Sequence, residues 1–349
     1  MTADGRIRVV NACNEPDLFW ALKGGGGGTF GVVTRLTLRT RELPRFFGAV
    51  EGTIAARSAD AFAALVARFV EHYRERLLNP HWGEQVRVGP GDALELAMVS
   101  QGLDGDAMRA VWQPFFDWVR SRADDFTIRS PLRADAGNAR DWWRVDGNPG
   151  MIPDTRPDAP PGRGWWRGDQ AQVGGFIHGF ESVWLPASLL EPAEQPRLVA
   201  ALLAASRRQR VELHFNKGLA GAPDDVLAAV RDTATNPAVL DAFALAIIAT
   251  GEPPAYPGLP RPPVDAAAAR RNARDVDAAV AELRKVAPAS GSYVSESNYF
   301  NPSWRNDYWG GNYSRLRALK SRYDPDGLFF VHHGVGSEDW SADGFTRIG

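Results

Sequence analysis

The residues with the most definite chemical signature are glycines. Residues 24–28 are five glycines in succession, and Gly26, Gly27, Gly28, Thr29, Phe30 and Gly31 satisfy the pattern G-x-G-x-x-G. In a dinucleotide fingerprint that pattern follows a strand and opens a helix, because the pyrophosphate rests on the helix N-terminus. Here the order is inverted. Residues 16–23 (PDLFWALK) read as a short helix, with Pro16 in its first turn and Gly24 as its C-cap, and residues 30–39 (FGVVTRLTLR) read as a strand. Backbone without Cβ atoms can lie close to a ligand or to another backbone. Close contact with a cofactor and a plain flexible turn are both open on the glycines alone.

Other chemically capable side chains are more scattered. Alternation over residues 211–215 puts Val211, Leu213 and Phe215 on one face, and Glu212, His214 and Asn216 on the other. His214, Asn216 and the adjacent Lys217 are therefore candidate substrate contacts. His332 and His333 are neighbours on a strand expected over residues 328–332, so their side chains should point to opposite faces rather than chelate one metal. The single cysteine, Cys13, excludes an internal disulfide framework and a cysteine-based zinc site. No metal site is expected. Twelve tryptophans include the pairs Trp142-Trp143 and Trp165-Trp166, whose rings could stack on sugars or on other rings, or simply pack in a core or loop.

The elements that must hold these groups follow from periodicity. Asp60 reads as the N-cap of a helix with Phe62, Leu65, Val66, Phe69 and Val70 on its buried face. Leu94, Leu96 and Met98 alternate as a strand, and Met108, Val111, Trp112, Phe115 and Val119 recur as a second amphipathic helix. Residues 130–170 are rich in Pro, Gly, Arg and Asp, as in a lid, binding loop or linker. Strands are expected over 176–185, 211–215 and 243–250, a helix from Pro223, a proline-rich surface loop over 251–263, and a charged helix over 265–286. Toward the end come a short strand at 292–294, a helix over 312–323 with Tyr313, Leu316, Leu319, Lys320 and Tyr323 on one side, and a turn at 324–327. The class is α+β. At the start, Asp4-Gly5 signals a hairpin whose returning strand is 6–10, yet only three residues precede the turn. An unpaired strand edge is a liability, so the chain reads as truncated at its N-terminus.

Composition sets outer limits. The 349 residues suffice for two domains, and 44% hydrophobic with 23% charged residues is the balance of a soluble globular protein. A formal net charge of -2 provides no basic field for nucleic acid or for a membrane surface. The longest clean apolar run, 242–249, is far short of the ~20 residues a bilayer needs, and the first residues contain no signal-peptide core. Localisation is otherwise undetermined.

Two long stretches carry a resemblance. DLFWALKGGGGGTFGVVTRLTLRT (17–40) resembles the end of the flavin-binding domain in the berberine-bridge-enzyme-like branch of the vanillyl-alcohol-oxidase (PCMH-type) flavoproteins. SYVSESNYFNPSWRNDYWGGNYSRLRALKSRYDPDGLFFVHHGVGSEDW (292–340) resembles the C-terminal motif of that branch. The resemblance implies an incomplete bipartite FAD-binding domain, of which residues 1–43 are the C-terminal part. It further implies a substrate domain over 44–290 with an antiparallel sheet covered by helices, and a segment over 291–349 that returns to the FAD domain. It implies FAD as cofactor and a small-molecule alcohol, sugar or amine as hydride donor, with oxygen as electron acceptor. Gly26, Gly27, Gly28, Phe30, Gly31, Val32, Asn312 and Tyr313 are the implied flavin contacts. The family's Tyr-x-Asn-Tyr-like motif falls on residues 293–296, where Tyr293 is kept, Ser295 replaces the Asn and Glu296 replaces the second Tyr. Tyr293 and Glu296 are the implied bases; a carboxylate can serve when burial raises its pKa. The family's pyrophosphate loop and flavin-linking His lie upstream of the glycine run, and His72, His81 and Cys13 do not match them. The expectation is therefore an FAD-dependent oxidase, or else a non-catalytic fragment or ligand-binding remnant, or a subunit completed by a separate flavin-binding chain.

Overall fold

Alternating apolar residues through the middle of the chain pair into one twisted sheet, seen in a computed structural model that describes residues 1–170, 174–253 and 263–348. Its strands are β1 (Phe46–Ala56), β2 (Trp82–Gly89), β3 (Ala93–Gln101), β4 (Phe126–Asn138), β7 (Phe176–Pro186), β8 (Val211–His214) and β9 (Ala242–Glu252), with β5 (Met151–Pro153) and β6 (Gly164–Trp166) forming a separate hairpin. The sheet order is β4-β1-β3-β2-β8-β9-β7. Every recorded pairing is antiparallel.

Register decides which side chains meet the helices. Val50 pairs with Met98, Val86 with Leu96, and Leu213 with both Val86 and Ala246. These residues form one buried face. Against it pack α2 (Ala59–His72), α3 (Gly105–Arg120), α5 (Gln195–Ser206) and α7 (Ala266–Arg284), whose apolar residues complete the main core. The architecture is thus α+β, an antiparallel sheet covered by helices on one face. The other face carries Glu95, Arg87, Glu212 and His214 at its centre and Trp184 toward the β7 edge. Arg87 bridges Glu95 at 2.6 Å and Glu212 at 3.4 Å. Burial opposes the ionisation of Glu212, but hydrogen bonding to His214 and the charges of Arg210 and Arg87 hold its carboxyl below the usual value.

A second apolar cluster joins the two ends of the chain. Leu18, Trp20 and Ala21 of α1 (Pro16–Leu22) and Phe30 pack with Trp304, Tyr308 and Trp309 of α8 (Trp304–Trp309) and with Leu316, Leu319 and Tyr323 of α9 (Tyr313–Tyr323). The buried Lys320 fastens this cluster. Its Nζ donates to Thr29 O (2.7 Å), Phe329 O (2.7 Å) and Asp324 Oδ2 (2.6 Å). Asp324 in turn accepts from the amides of Leu328 and Phe329 at 2.8 and 2.9 Å.

Several expectations need correction. Residues 30–39 and 6–10 form no ladder, because no strand among the described residues lies beside them; Met1 and Val32 exchange backbone bonds, at 2.7 and 2.9 Å, and the amide of Thr2 donates to Arg6 O at 3.1 Å. Residues 328–332 are not a strand either: Lys320 and Asp324 take the backbone groups a ladder would use. Residues 292–294 reduce to an isolated bridge between Tyr293 and Glu296. The cap of α2 is Ser58, which accepts from the amide of Ala61, and not Asp60. Much of the region 130–170 is ordered as β4 and the β5–β6 hairpin. Most of the expected loop 251–263 lies outside the described residues. No helix among the described residues is long and apolar enough to cross a membrane.

Two predictions follow from the packing. His72 is buried against the rings of Trp112 (4.9 Å) and Phe115 (5.4 Å), and burial, helped by Arg68 and Arg76, lowers its pKa from 6.5 to about 4. The unfolded chain then binds the proton first as pH falls, so stability is full above about pH 6.5 and is lost as pH drops through about 4. The loss is on the order of 3 kcal/mol, and it should be absent from the difference between pH 7 and pH 4 urea melts when His72→Phe is compared with wild type. Lys320→Met should cost roughly 3–5 kcal/mol in the same measurement, because it leaves Asp324 buried without its cation; a cost under about 1 kcal/mol would contradict the clamp.

Candidate functional site

The glycine run is held at both ends. At its start Trp309 Nε1 donates to Gly24 O at 3.0 Å, and the amide of Ala234 donates to Lys23 O at 2.8 Å. At its end Lys320 holds Thr29 O. A Cβ on Gly25 would stand 2.8 Å from the Phe30 ring and 2.9 Å from Leu316, so the run can sit this low on the tail only without side chains. Gly27 is the reverse case: a Cβ there would meet nothing within 4 Å, because its backbone faces open space.

That space is a pair of adjoining clefts of about 290 and 310 Å3. Gly26, Gly27, Thr29, Val294, Ser295 and Tyr308 line both. The first is closed by Trp184, Asn236 and Tyr293; the second by Trp309, Tyr299, His332 and His333. The glycine-dense segment and the tail segment therefore face each other across one opening.

Tyr293 is positioned from the sheet. Its amide donates to Ser182 Oγ at 3.0 Å, and Ser182 also bonds Ser292 Oγ at 2.8 Å. Its ring lies 6.2 Å from that of Trp184, and Lys217 Nζ sits over the ring, 5.5 Å from its centre. Lys217 is ion-paired with Glu296, whose backbone oxygen accepts from Ser182. On the second cleft, Tyr299, His332 and His333 form a continuous stack, with centroids 4.0 Å apart for the first pair and 3.9 Å for the second. The two imidazoles thus lie on the same side, not on opposite faces, because residues 328–332 are not a strand and His333 adopts φ 54. Burial and the neighbouring His332 and Arg305 lower the pKa of His333 to about 4. Burial raises the Tyr308 phenol, opposed by hydrogen bonding to Ser297 and reinforced by the charges of Glu181 and Asp307.

The candidate residues divide by position. Gly26, Gly27, Gly28, Phe30, Gly31 and Tyr293 line the first cleft, as does Val33 rather than Val32. Glu296 does not line either cleft and is engaged with Lys217. Asn312 is turned to the loop at 233–235, donating to Thr235 O at 2.8 Å, and Tyr313 donates to the Glu338 carboxylate at 2.5 Å; neither lines a cleft. Burial, followed by hydrogen bonding to Glu338, raises the Tyr313 phenol well above its usual value. His214 is buried on the open face with Nε2 3.6 Å from Glu212, and Asn216 donates to Glu84 at 3.0 Å. Trp184, Asn236, Tyr308 and Trp309 were not singled out from sequence. The dense aromatic segment 304–313 was a signal for the last two; nothing local marks Trp184, which reads as one more apolar strand residue.

The clefts offer bare backbone, phenols and aromatic faces, which suit a planar ring. Neither is lined by a lysine or arginine among the described residues, so the pyrophosphate end of a dinucleotide finds no cationic partner there. No group of three or more His, Cys, Asp or Glu side chains is placed to hold a metal among the described residues.

The chain is similar to known flavoproteins along its length. The family described as berberine and berberine like matches residues 271–336. An uncharacterized FAD-linked oxidoreductase of Arthroderma benhamiae is 27% identical over 365 residues, covering 99% of this chain and 56% of that protein. The crystal structure of a VAO-type flavoprotein of Myceliophthora thermophila superposes with a TM-score of 0.71 at 24% identity, over 98% of this chain and 56% of its own. A carbohydrate oxidase of Microdochium nivale, solved with a substrate analogue, gives a TM-score of 0.64 at 19% identity, over 96% and 64%. At such identities the two structural likenesses carry the fold. The chain spans about half the length of the curated relatives it matches. The tail of the chain thus matches the berberine and berberine like family, and the chain as a whole is similar to FAD-linked oxidoreductases and has the fold of VAO-type flavoproteins.

Proposed function

We propose that this chain forms the substrate side, and one wall of the flavin site, of an FAD-dependent oxidase acting on a small alcohol, sugar or amine, with oxygen as acceptor. The observation that carries the reading is the shared cleft between the glycine run and residues 293–297. Residues 1–43 and 291–349 make the flavin side and 44–290 the substrate side; the two separate apolar clusters support that division.

FAD, when bound, supplies the two-electron acceptor for hydride. The chain's own residues do the rest. The backbone of residues 26–28 provides a flat wall with no side chain to displace a ring. Tyr308 and Trp184 narrow the space beside it. Tyr293 is the cleft-facing residue of the two candidate bases, and in its phenolate form its oxygen would take the proton that the donor group loses. Glu296 neutralises Lys217 and ties residues 293–296 to the sheet through its backbone bond to Ser182. The partners are a small-molecule substrate and oxygen, with no nucleic acid or membrane.

One observation favours a second polypeptide segment as part of the working site. Ile7, Val9, Leu36 and Leu38 are 77, 73, 72 and 74% exposed on unladdered segments, and a flavin-binding segment that pairs with them would cover this apolar surface.

The test is Tyr293→Phe in the flavin-loaded enzyme. A fall in kcat of about 10²–10⁴ with little change in KM is expected for loss of a general base. Unchanged turnover would remove Tyr293 from the chemistry.

A further inference from the structure

We propose that Glu181 and Asp307 compete for the one guanidinium of Arg284, which makes Arg284 a positioning residue for the wall of the first cleft and Glu181 the group that loosens its hold. The three meet on the helix-covered side of β7, not on the open face. Glu181 pairs in register with Ile248, whose side chain belongs to the main core. Arg284 reaches over from the last turn of α7. Its Nη2 lies 3.3 Å from Glu181 Oε1 and 3.4 Å from Asp307 Oδ2. One nitrogen thus serves both acids, and neither has a second cation within 4 Å among the described residues.

Asp307 carries the cleft wall. Its carbonyl accepts from the amide of Ser292 at 2.8 Å and from Asn236 Nδ2 at 2.7 Å. Its carboxylate accepts from Asn301 Nδ2 at 3.0 Å. The next residue, Tyr308, donates to Asn298 O at 3.0 Å. Ser292, Asn236 and Tyr308 all line the first cleft. The packing here leaves no slack: a Cβ on Gly291 would stand 2.5 Å from Asp307 O and 2.6 Å from Asn236 Nδ2. A shift of Asp307 therefore moves three residues of the wall.

Charge makes the balance sensitive to pH. Glu181 is faced by Arg284 from α7, by Asp307 and Tyr308 from α8, and by the neutral Asn298; β9 presents the apolar Ile248. A third acid, Asp277 of α7, is tied to Asn298 at 3.3 Å. Burial raises the pKa of Glu181, opposed by the charge of Arg284 and by hydrogen bonding to Asn298, and reinforced by Asp307. A buried carboxylate that loses its only cation is costly, so the two acids cannot both be well served. Protonated Glu181 leaves the guanidinium to Asp307; ionised Glu181 draws it away. The Tyr308 phenol, raised first by burial, also feels the charges of Glu181 and Asp307.

For the reaction, the inference rests on the oxidase reading; for the wall it does not. The experiment is NMR of the full chain labelled with nitrogen-15 serine, without flavin. The Ser292 amide, bonded to Asp307 O, is assigned by its loss in Ser292→Ala. Between about pH 4.5 and about pH 8 its shift should move in one step in wild type, show no step in Glu181→Gln, and keep the step in Arg284→Lys. Arg284→Met should displace the signal at every pH and weaken lumiflavin binding tenfold or more. No step in wild type, a step that persists in Glu181→Gln, an undisplaced signal in Arg284→Met, or a displaced signal with unchanged lumiflavin affinity would each overturn the proposal. If Arg284→Met does not fold, the comparison of wild type with Glu181→Gln decides. A step that Glu181→Gln abolishes, in a wild type that binds no lumiflavin, would support the proposal and count against the flavin reading of the cleft.

Discussion

Lys320 places an ammonium among three oxygens in a region where an unpaired charge would cost several kcal/mol. One of those oxygens belongs to Thr29, at the end of the glycine run, and the other two to Asp324 and Phe329 of the tail. The bond therefore spans almost the whole length of the chain. Trp309 makes the matching bond at the other end of the run, to Gly24 O. Between these two fixed points the backbone of residues 26–28 has to bridge open space, and that bridge is the wall of the cleft. Burial lowers the Lys320 pKa while Asp324 supports its charge.

The sheet contributes by having two unlike faces. The helix-covered face is a conventional apolar core, and it makes the strands rigid. The open face can then carry groups that core packing would not tolerate: the Glu95–Arg87–Glu212 ladder at its centre, Trp184 and Ser182 at the β7 edge, and Phe47 near the β4 edge. Ser182 is the hinge between scaffold and site, since its single hydroxyl touches Ser292, the amide of Tyr293 and the carbonyl of Glu296. A strand position thus sets the place of a residue more than a hundred positions later.

What could be read from the sequence was what local periodicity encodes. The long helix ending at Arg284, the strands β8 and β9, and the buried side of α9 including Lys320 all follow from spacing of apolar residues. Residues 30–39 alternate just as well, yet join no strand ladder among the described residues: alternation records that a segment suits a pleated surface and says nothing of whether a partner strand is there. Conversely β1 and β4 escaped notice because Gly48, Gly52 and Pro131 interrupt their patterns. Gly48 is required by Met108, whose Sδ would lie 2.1 Å from a Cβ, and that contact joins residues far apart in the chain. The site divided in the same way. The glycines and Tyr293 were legible as motifs, whereas the turning of Asn312 and Tyr313 away from the cleft depends on Thr235 and Glu338, which only the fold brings near.

The central claim is that the glycine run and the tail enclose a space for a flat ring. It is tested most directly by titrating lumiflavin, the bare ring system, against the full chain and against Gly27→Val, reading the quenching of lumiflavin fluorescence. Gly27 has nothing within 4 Å of its Cβ position, so valine fills the opening without disturbing a neighbour. Saturable quenching by wild type that disappears in a Gly27→Val protein of unchanged circular dichroism is the predicted result. Equal quenching by both proteins, or none by wild type, would contradict the account.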